Sequence, residues 1–242
     1  MTIPKMILFD CAHTLEAEQG HDSLRGIVAV MRHAVKNPQN ISAEQVASLS
    51  AELYYGICGQ VRGIGAELHN LHALRLIYEY LQIDFDVPLT EIERIYWDNA
   101  DPGAATPYAG EMLTFLHERA IRTGVISNMG FSGDALAPRL NRLLPENHFE
   151  FIIASSDYMI RKPNPMLFEL ALRKAGLQAS EVWFCGDSPS ADIVGASFVG
   201  IFPVWYDDLT MENPFQGKNS NPPVCKHLHI HDWLALIRYW KA

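Results

Sequence analysis

Phe9-Asp10-Cys11-Ala12-His13-Thr14-Leu15 is the stretch on which the fold turns. Immediately before it, Lys5-Met6-Ile7-Leu8-Phe9 is an apolar run too short for a helix of ordinary length, and it stops at a carboxylate. Such a run reads as a strand buried on both faces of a parallel sheet. Open α/β sheets bind ligands in the crevice beyond the carboxyl ends of their strands, and Asp10 is delivered to that place.

Three further stretches repeat the pattern. Val125-Ile126-Ser127-Asn128 is a short strand ending in a hydroxyl and an amide. Arg161-Lys162-Pro163-Asn164-Pro165 sets a lysine just before a helix, with Pro165 suited to its first turn. Trp183-Phe184-Cys185-Gly186-Asp187 is a strand ending in a carboxylate, and Asp192 lies five residues further on. In this order the four stretches resemble the motifs of the haloacid dehalogenase-like hydrolase superfamily. The fold this implies is α/β: a Rossmann-like parallel-sheet core with an α-helical cap inserted just after the first motif. The cap would be residues 16–102, and the core residues 1–15 and 103–242.

The same resemblance implies roles. Asp10 would be the nucleophile, a carboxylate able to form an acyl-phosphate or an ester. Ser127, through its hydroxyl, and Asn128, through its backbone N–H, would hold a phosphoryl oxygen. Lys162 would neutralise the phosphoryl group and steady the nucleophile. Mg²⁺ would be held by Asp10, Asp187 and the backbone carbonyl of Ala12, with Asp192 orienting Lys162 or a metal-bound water. The plain alternatives are a loop-capping Asp10, an Asp192 favoured by a helix dipole, and an exposed Lys162. The implied activity is Mg²⁺-dependent hydrolysis of a small phosphorylated metabolite.

The first motif departs from the family's phosphatases, which carry DxDGT. Here Ala12 replaces the second Asp and His13 replaces Gly. That Asp protonates the leaving alkoxide, and losing a positioned acid costs about 10² to 10⁴ in rate. Three readings follow: a substrate with a good leaving group, His13 as proton donor, or a protein that binds a phosphorylated ligand with little turnover. His13 is equally readable as a loop residue facing solvent. Haloacid dehalogenases also resemble this pattern in lacking the second Asp, but they use no Mg²⁺. Phosphonoacetaldehyde hydrolases resemble it in having Ala there, but they need a cap lysine, and Lys36 is the only lysine between residues 16 and 102.

Composition narrows the partners. At 242 residues, 48% hydrophobic and 19% charged, the chain fits one large globular domain or two moderate ones. A formal charge of −9 disfavours nucleic acid, so a phosphorylated substrate needs a locally positive site. No apolar run approaches the roughly 20 residues that cross a bilayer, which excludes a membrane partner by a spanning helix. No basic and apolar leader opens the sequence, and Cys11, Cys58, Cys185 and Cys225 are scattered, so a cytoplasmic protein with reduced thiols is expected.

Between the first two motifs the periodicity is helical. Leu24, Ile27, Val28, Met31 and Val35 form one stripe; Ser42 and Gln45 form a capping box ahead of Val46, Leu49, Leu53 and Ile57. After Arg62-Gly63-Ile64-Gly65, a third helix carries Leu68, Leu71, Leu74, Tyr78 and Leu81, and Thr90 with Glu93 boxes a fourth. Arg62 is placed to reach over the site, while His69, His72 and Arg75 share a flank that could meet an anion. Strands and helices then alternate to Ile201–Trp205, followed by a Pro- and Asn-rich loop from Tyr206 to Pro223 and an edge strand at His227–Ile230 before a closing helix. Cys225, His227, His229 and His231 alternate, so a strand puts them on one face at a spacing of nearly 7 Å. That is too wide for one ion without a partner or a bend, and a solvated edge is the expectation.

Overall fold

The computed structural model describes residues 3–208 and 222–241. Strand β1 (Met6–Phe9) is buried along its whole length. Beyond it the chain turns through residues 10–15 into β2 (Glu16–Ala17), then runs α1 (Ser23–Met31), β3 (Ala34–Lys36), α2 (Ala43–Leu53), α3 (Gly59–Gly63), α4 (Asn70–Tyr80), β4 (Asp84–Phe85) and α5 (Leu89–Ala100). It returns through β5 (Ala104–Ala105) and α6 (Ala109–His117) to β6 (Arg122–Ser127), α7 (Gly133–Leu143), β7 (Phe149–Ala154), α8 (Pro165–Ala175), β8 (Val182–Gly186), α9 (Gly195–Phe198), β9 (Phe202–Tyr206), β10 (Leu228–Ile230) and α10 (Trp233–Lys241).

Six strands form one parallel sheet in the order β10-β9-β8-β1-β6-β7. The chain leaves β1 toward β6 on one side and later fills β8 on the other. The strand order therefore reverses around β1, which opens a crevice at its carboxyl end. Alternation along β1 sends Ile7 and Phe9 into one core, with Met112, Leu116 and Trp233, and Met6 and Leu8 into the other, with Phe168 and Phe184. Each fully buried side chain of this size contributes about 1.5–3 kcal/mol of burial free energy, so the central strand is fixed from both faces.

The helical insertion has a separate apolar cluster, built on Ile27, Val30, Val46, Ile77, Tyr78, Ile83 and Ile92. Its outgoing and returning strands run side by side. Glu16 pairs with Ala105 and Ala17 with Ala104 in the antiparallel β2–β5 ribbon, and the Thr106 N–H donates to the Leu15 carbonyl at 3.0 Å. The Ser42–Gln45 capping box forms as the sequence implies. The Thr90–Glu93 box does not: the cap residue is Pro88, whose ring has no acceptor to offer, and Glu93 bonds elsewhere. The first stripe also stops at Met31, and Val35 lies exposed in the β3–β4 ribbon.

At the other end of the chain, β10 is the edge strand, parallel to β9, with Ile230 buried; His227 precedes it. Of the loop expected over residues 206–223, positions 209–221 lie outside the described residues. All four cysteines are unpaired. Among the described residues, no helix is long and apolar enough to cross a membrane.

Candidate active site

Three neighbouring strands deliver polar groups to the same edge of the sheet. Asp10 follows β1, Ser127 closes β6, and Asp187 follows β8, with Phe9 registered beside Val125 on one side and Cys185 on the other. Lys162 enters from the loop before α8 and is 2% exposed. Its ammonium lies 2.6 Å from Asp10 Oδ1, 2.7 Å from Asp192 Oδ1 and 2.8 Å from the Ile126 carbonyl oxygen. Asp10 and Ile126 take hydrogen bonds from it, and Asp192 Oδ1 stands at ion-pair distance. Burial alone would lower the lysine's pKa, but Asp10 and Asp192 outweigh it and hold it above the ordinary value. The exposed-lysine alternative is therefore overturned.

Asp192 is 1% exposed. Its second oxygen, Oδ2, accepts the Ser188 N–H at 2.9 Å, so the side chain bridges a helix start to the lysine. Burial pushes its pKa upward against the pull of Lys162. Gly186 makes room for it: any Cβ there would run into the Asp192 carboxylate. Asp187, 9% exposed, has its backbone carbonyl held by Trp205 Nε1 at 3.0 Å. The carboxylates of Asp10, Asp187 and Asp192 offer oxygens that all lie within 4.8 Å of one another. An all-oxygen donor set of this kind suits a divalent cation.

Asn128 has a use that sequence reasoning missed. Its side-chain amide accepts the Lys162 N–H at 2.7 Å and donates to the Lys162 carbonyl at 2.9 Å, clamping the lysine's backbone to the end of β6. Beside it, Ser127 Oγ is fully buried and makes no hydrogen bond among the described residues. Thr14 Oγ1 is in the same condition. A buried hydroxyl without a partner costs about 1–3 kcal/mol, so a ligand oxygen is the natural complement to Ser127.

The turn after Asp10 winds around one carbonyl. Cys11 O accepts the N–H groups of Thr14, Leu15 and Glu16 at 3.2, 2.8 and 3.0 Å, while the His13 N–H donates to Glu16 O at 2.7 Å. The Ala12 carbonyl accepts none of these. His13 sits at φ 57°, in the left-handed region that glycine takes most readily and histidine more often than most residues. That accounts for the family's glycine at this place. His13 is only 7% exposed, so the solvent-facing reading is wrong: the turn folds it inward.

The insertion is fastened to the loops around the crevice by buried carboxylates. Glu67 meets Arg62 Nε at 3.1 Å, Arg161 Nη1 at 3.1 Å and the Ser155 hydroxyl at 3.2 Å, and Ser155 Oγ accepts the Met129 N–H at 2.9 Å. Arg62 thus pairs with Glu67 and covers the Tyr54 ring, rather than reaching over the site unattached. Glu93 accepts from both the N–H and the hydroxyl of Ser132, at 3.2 and 2.5 Å, and burial raises its pKa. The flank of His69, His72 and Arg75 is divided: His69 caps α4 through Leu71 N–H and pairs with Asp157, while Arg75 is exposed beside Glu79.

A parallel α/β sheet whose switch point holds a lysine-bound carboxylate, two further carboxylates and an unpartnered hydroxyl defines a class of hydrolase. The chain belongs to the haloacid dehalogenase-like hydrolases, whose sequence profile matches residues 66–205, more than half its length. That match takes in Ser127, Lys162, Asp187 and Asp192 and begins after Asp10. The chain is similar to a phosphoserine phosphatase from Thermus thermophilus, 38% identical over 69 residues, which is 28% of each chain. In fold it is similar to a phosphatase of the same family from Thermococcus onnurineus (17% identity, TM-score 0.59, covering 97% of both chains). It is equally similar in fold to a 2-haloacid dehalogenase from Pseudomonas syringae (23% identity, TM-score 0.59, covering 100% of both). The chain spans 28% to 41% of the length of the first two curated relatives it matches.

Proposed function

We propose that this protein is a Mg²⁺-dependent phosphatase that hydrolyses a small phosphorylated metabolite through an aspartyl-phosphate on Asp10. The observation that carries the reading is Ser127 Oγ, a fully buried hydroxyl without a partner among the described residues, at the strand end beside a lysine-held carboxylate. The similarity to a phosphoserine phosphatase supports phosphorus rather than carbon as the centre attacked. So does the cluster of Asp10, Asp187 and Asp192, an oxygen donor set of the kind Mg²⁺ takes.

In this reading Asp10 attacks phosphorus, the bond to the leaving oxygen breaks, and that oxygen departs with the electron pair. Ser127 and the Asn128 N–H hold a non-bridging oxygen, and Lys162 offsets the charge gathered around Asp10. Asp10, Asp187 and the Ala12 carbonyl would hold Mg²⁺, with Asp192 alongside, and the bound ion supplies further charge neutralisation. Water then attacks the phosphoryl group on Asp10, releasing phosphate and regenerating the carboxylate. Residues 16–102 act as a cap over the crevice. Ala12 offers no proton to the leaving oxygen, so the substrate has a good leaving group, such as an acyl, enol or aryl phosphate.

The test is phosphate release from acyl, aryl and alkyl phosphates, with Mg²⁺ or excess chelator, for wild type, Asp10→Asn and Asp187→Ala. Turnover confined to wild type with Mg²⁺, and fastest on acyl or aryl phosphates, is expected. Asp10→Asn retaining full activity would overturn the mechanism. Full activity in chelator would instead direct attention to halide release. Ala12 also favours a second reading, a binder with little turnover, recognised by beryllium fluoride trapped on Asp10 without hydrolysis of any phosphate.

A further inference from the structure

A second cluster of metal-binding side chains lies at the far edge of the sheet, on the opposite side of β8 from β1. It is built by the β9–β10 pairing. Tyr206 is registered with Ile230, and the Asp207 N–H donates to the Ile230 carbonyl at 2.9 Å, so Asp207 is carried next to His229 and His231. Same-face side chains on one straight strand stand about 7 Å apart, too far to share an ion. Here a neighbouring strand supplies a third donor, and the strand ends at Ile230, so His231 leaves the regular spacing. The His229 and His231 rings are 4.5 Å apart between centroids.

The donor atoms of Asp207, His229 and His231 all lie within 4.8 Å of one another. His229 Nε2 is 3.2 Å from Asp207 Oδ2, while His231 Nδ1, 3.9 Å from that oxygen, donates to the Asp207 carbonyl at 2.8 Å, which leaves its other ring nitrogen, Nε2, as the donor for an ion. Zinc binds imidazole nitrogen and carboxylate oxygen at about 2.0–2.2 Å, which spaces its ligand atoms by about 3 to 3.5 Å. The set is therefore close to ligating distances, and side chains that are 21%, 37% and 51% exposed have room to close the rest. The His229 ring is also held in plane by stacking on Trp205, 4.1 Å between centroids and 12° from parallel. His227 faces elsewhere, with Nδ1 on the Cys225 carbonyl at 2.7 Å, and Cys225 Sγ is turned to the Ile193 carbonyl.

We propose that Asp207, His229 and His231 bind a zinc-class dication, separate from the carboxylate cluster at Asp10. Two imidazoles and a carboxylate favour such an ion over Mg²⁺, which prefers oxygen ligands alone. Three protein ligands leave a fourth position open to solvent. The bound ion would cross-link residue 207 to residues 229 and 231.

The experiment is a Zn²⁺ titration of the untagged full chain in excess Mg²⁺, by calorimetry and native mass spectrometry. One zinc per chain is expected for wild type, for Asp187→Ala and for His227→Ala. His229→Ala and His231→Ala should each weaken it by about 100-fold or more, beyond the effect of losing an outer partner of a ligand. Co²⁺ in place of Zn²⁺ gives a second readout on unaltered protein, with the visible absorption of a low-coordinate site expected. No zinc bound by wild type, or undiminished binding by both histidine variants, would overturn the proposal. Loss of the zinc in Asp187→Ala alone would overturn it too, because the ion would then belong to the carboxylate cluster.

Discussion

Replacing Arg139 with methionine removes a guanidinium buried where the insertion leaves the core. Arg139 is 3% exposed and donates through Nε to Glu16 Oε1 at 2.8 Å, with Nη2 on the same oxygen. Its Nη1 donates to the Asp101 carbonyl at 2.8 Å, and the group lies 4.4 Å over the Trp97 ring. Methionine keeps most of the aliphatic stem against Trp97 but leaves Glu16, 5% exposed, without its cation. Removing one partner of a buried pair costs about 3–5 kcal/mol. At about 2–4 °C per kcal/mol for a chain of this size, the midpoint should fall by roughly 6–20 °C. The loss should also depend on pH. Burial already raises the pKa of Glu16 against the pull of Arg139, and without the guanidinium it rises further. A carboxyl whose folded pKa lies above its unfolded value stabilises the fold fully below the unfolded pKa, and that contribution is lost as pH climbs through the folded one. The variant's deficit should therefore widen as pH rises above the ordinary carboxylate range. Denaturation curves at several pH values measure this, and adding Glu16→Gln should recover most of the loss. A deficit under about 1 kcal/mol that does not change with pH would refute the reasoning.

Ser127→Ala should leave stability unchanged or raise it by about 1 kcal/mol, since a buried unpartnered hydroxyl is removed, while cutting turnover by about 10² to 10³. A destabilised variant with normal turnover, seen by melting and phosphate release, would contradict the role given to that hydroxyl. Gly186→Ala places a methyl against the Asp192 carboxylate and should cost about 1–3 kcal/mol and displace Asp192 from Lys162, visible in a crystal structure of the variant. Ala12→Asp should raise the rate on alkyl phosphates toward that on aryl phosphates, by up to about 10² to 10⁴. An unchanged ratio, with the variant folded, would argue that another group already protonates the leaving oxygen.

The parts of the site were readable one at a time, and their connections were not. A four-residue apolar run ending at Asp10, and another ending at Asp187, announced buried strands because no other element suits so short a run between polar stretches. The helices of the insertion were legible from their period and from the Ser42 cap. The β2–β5 and β3–β4 ribbons left no trace, since two- and three-residue strands carry no periodicity. Glu93 showed the limit of a local motif: Thr90 and Glu93 have the spacing of a capping box, but Ser132, the N-cap of α7, offered the carboxylate two donors. Partnership across the chain was equally hidden, for Glu16 with Arg139 and for Asp207 with His229. Whether His13 faces water or the interior is open in the sequence, because only the folded turn shows which way a left-handed residue points.

The three acceptors around Lys162 bear on which replacements the position tolerates. They lie on separate elements, Asp10 after β1, Ile126 within β6 and Asp192 before α9, and the N–H groups of an ammonium diverge as the corners of a tetrahedron do. Arginine keeps the charge but spreads its donors in one plane, and a planar fork cannot address three oxygens set around a point. Lys162→Arg should therefore resemble a neutral replacement in activity, since preserving the charge does not preserve the shape of the contact.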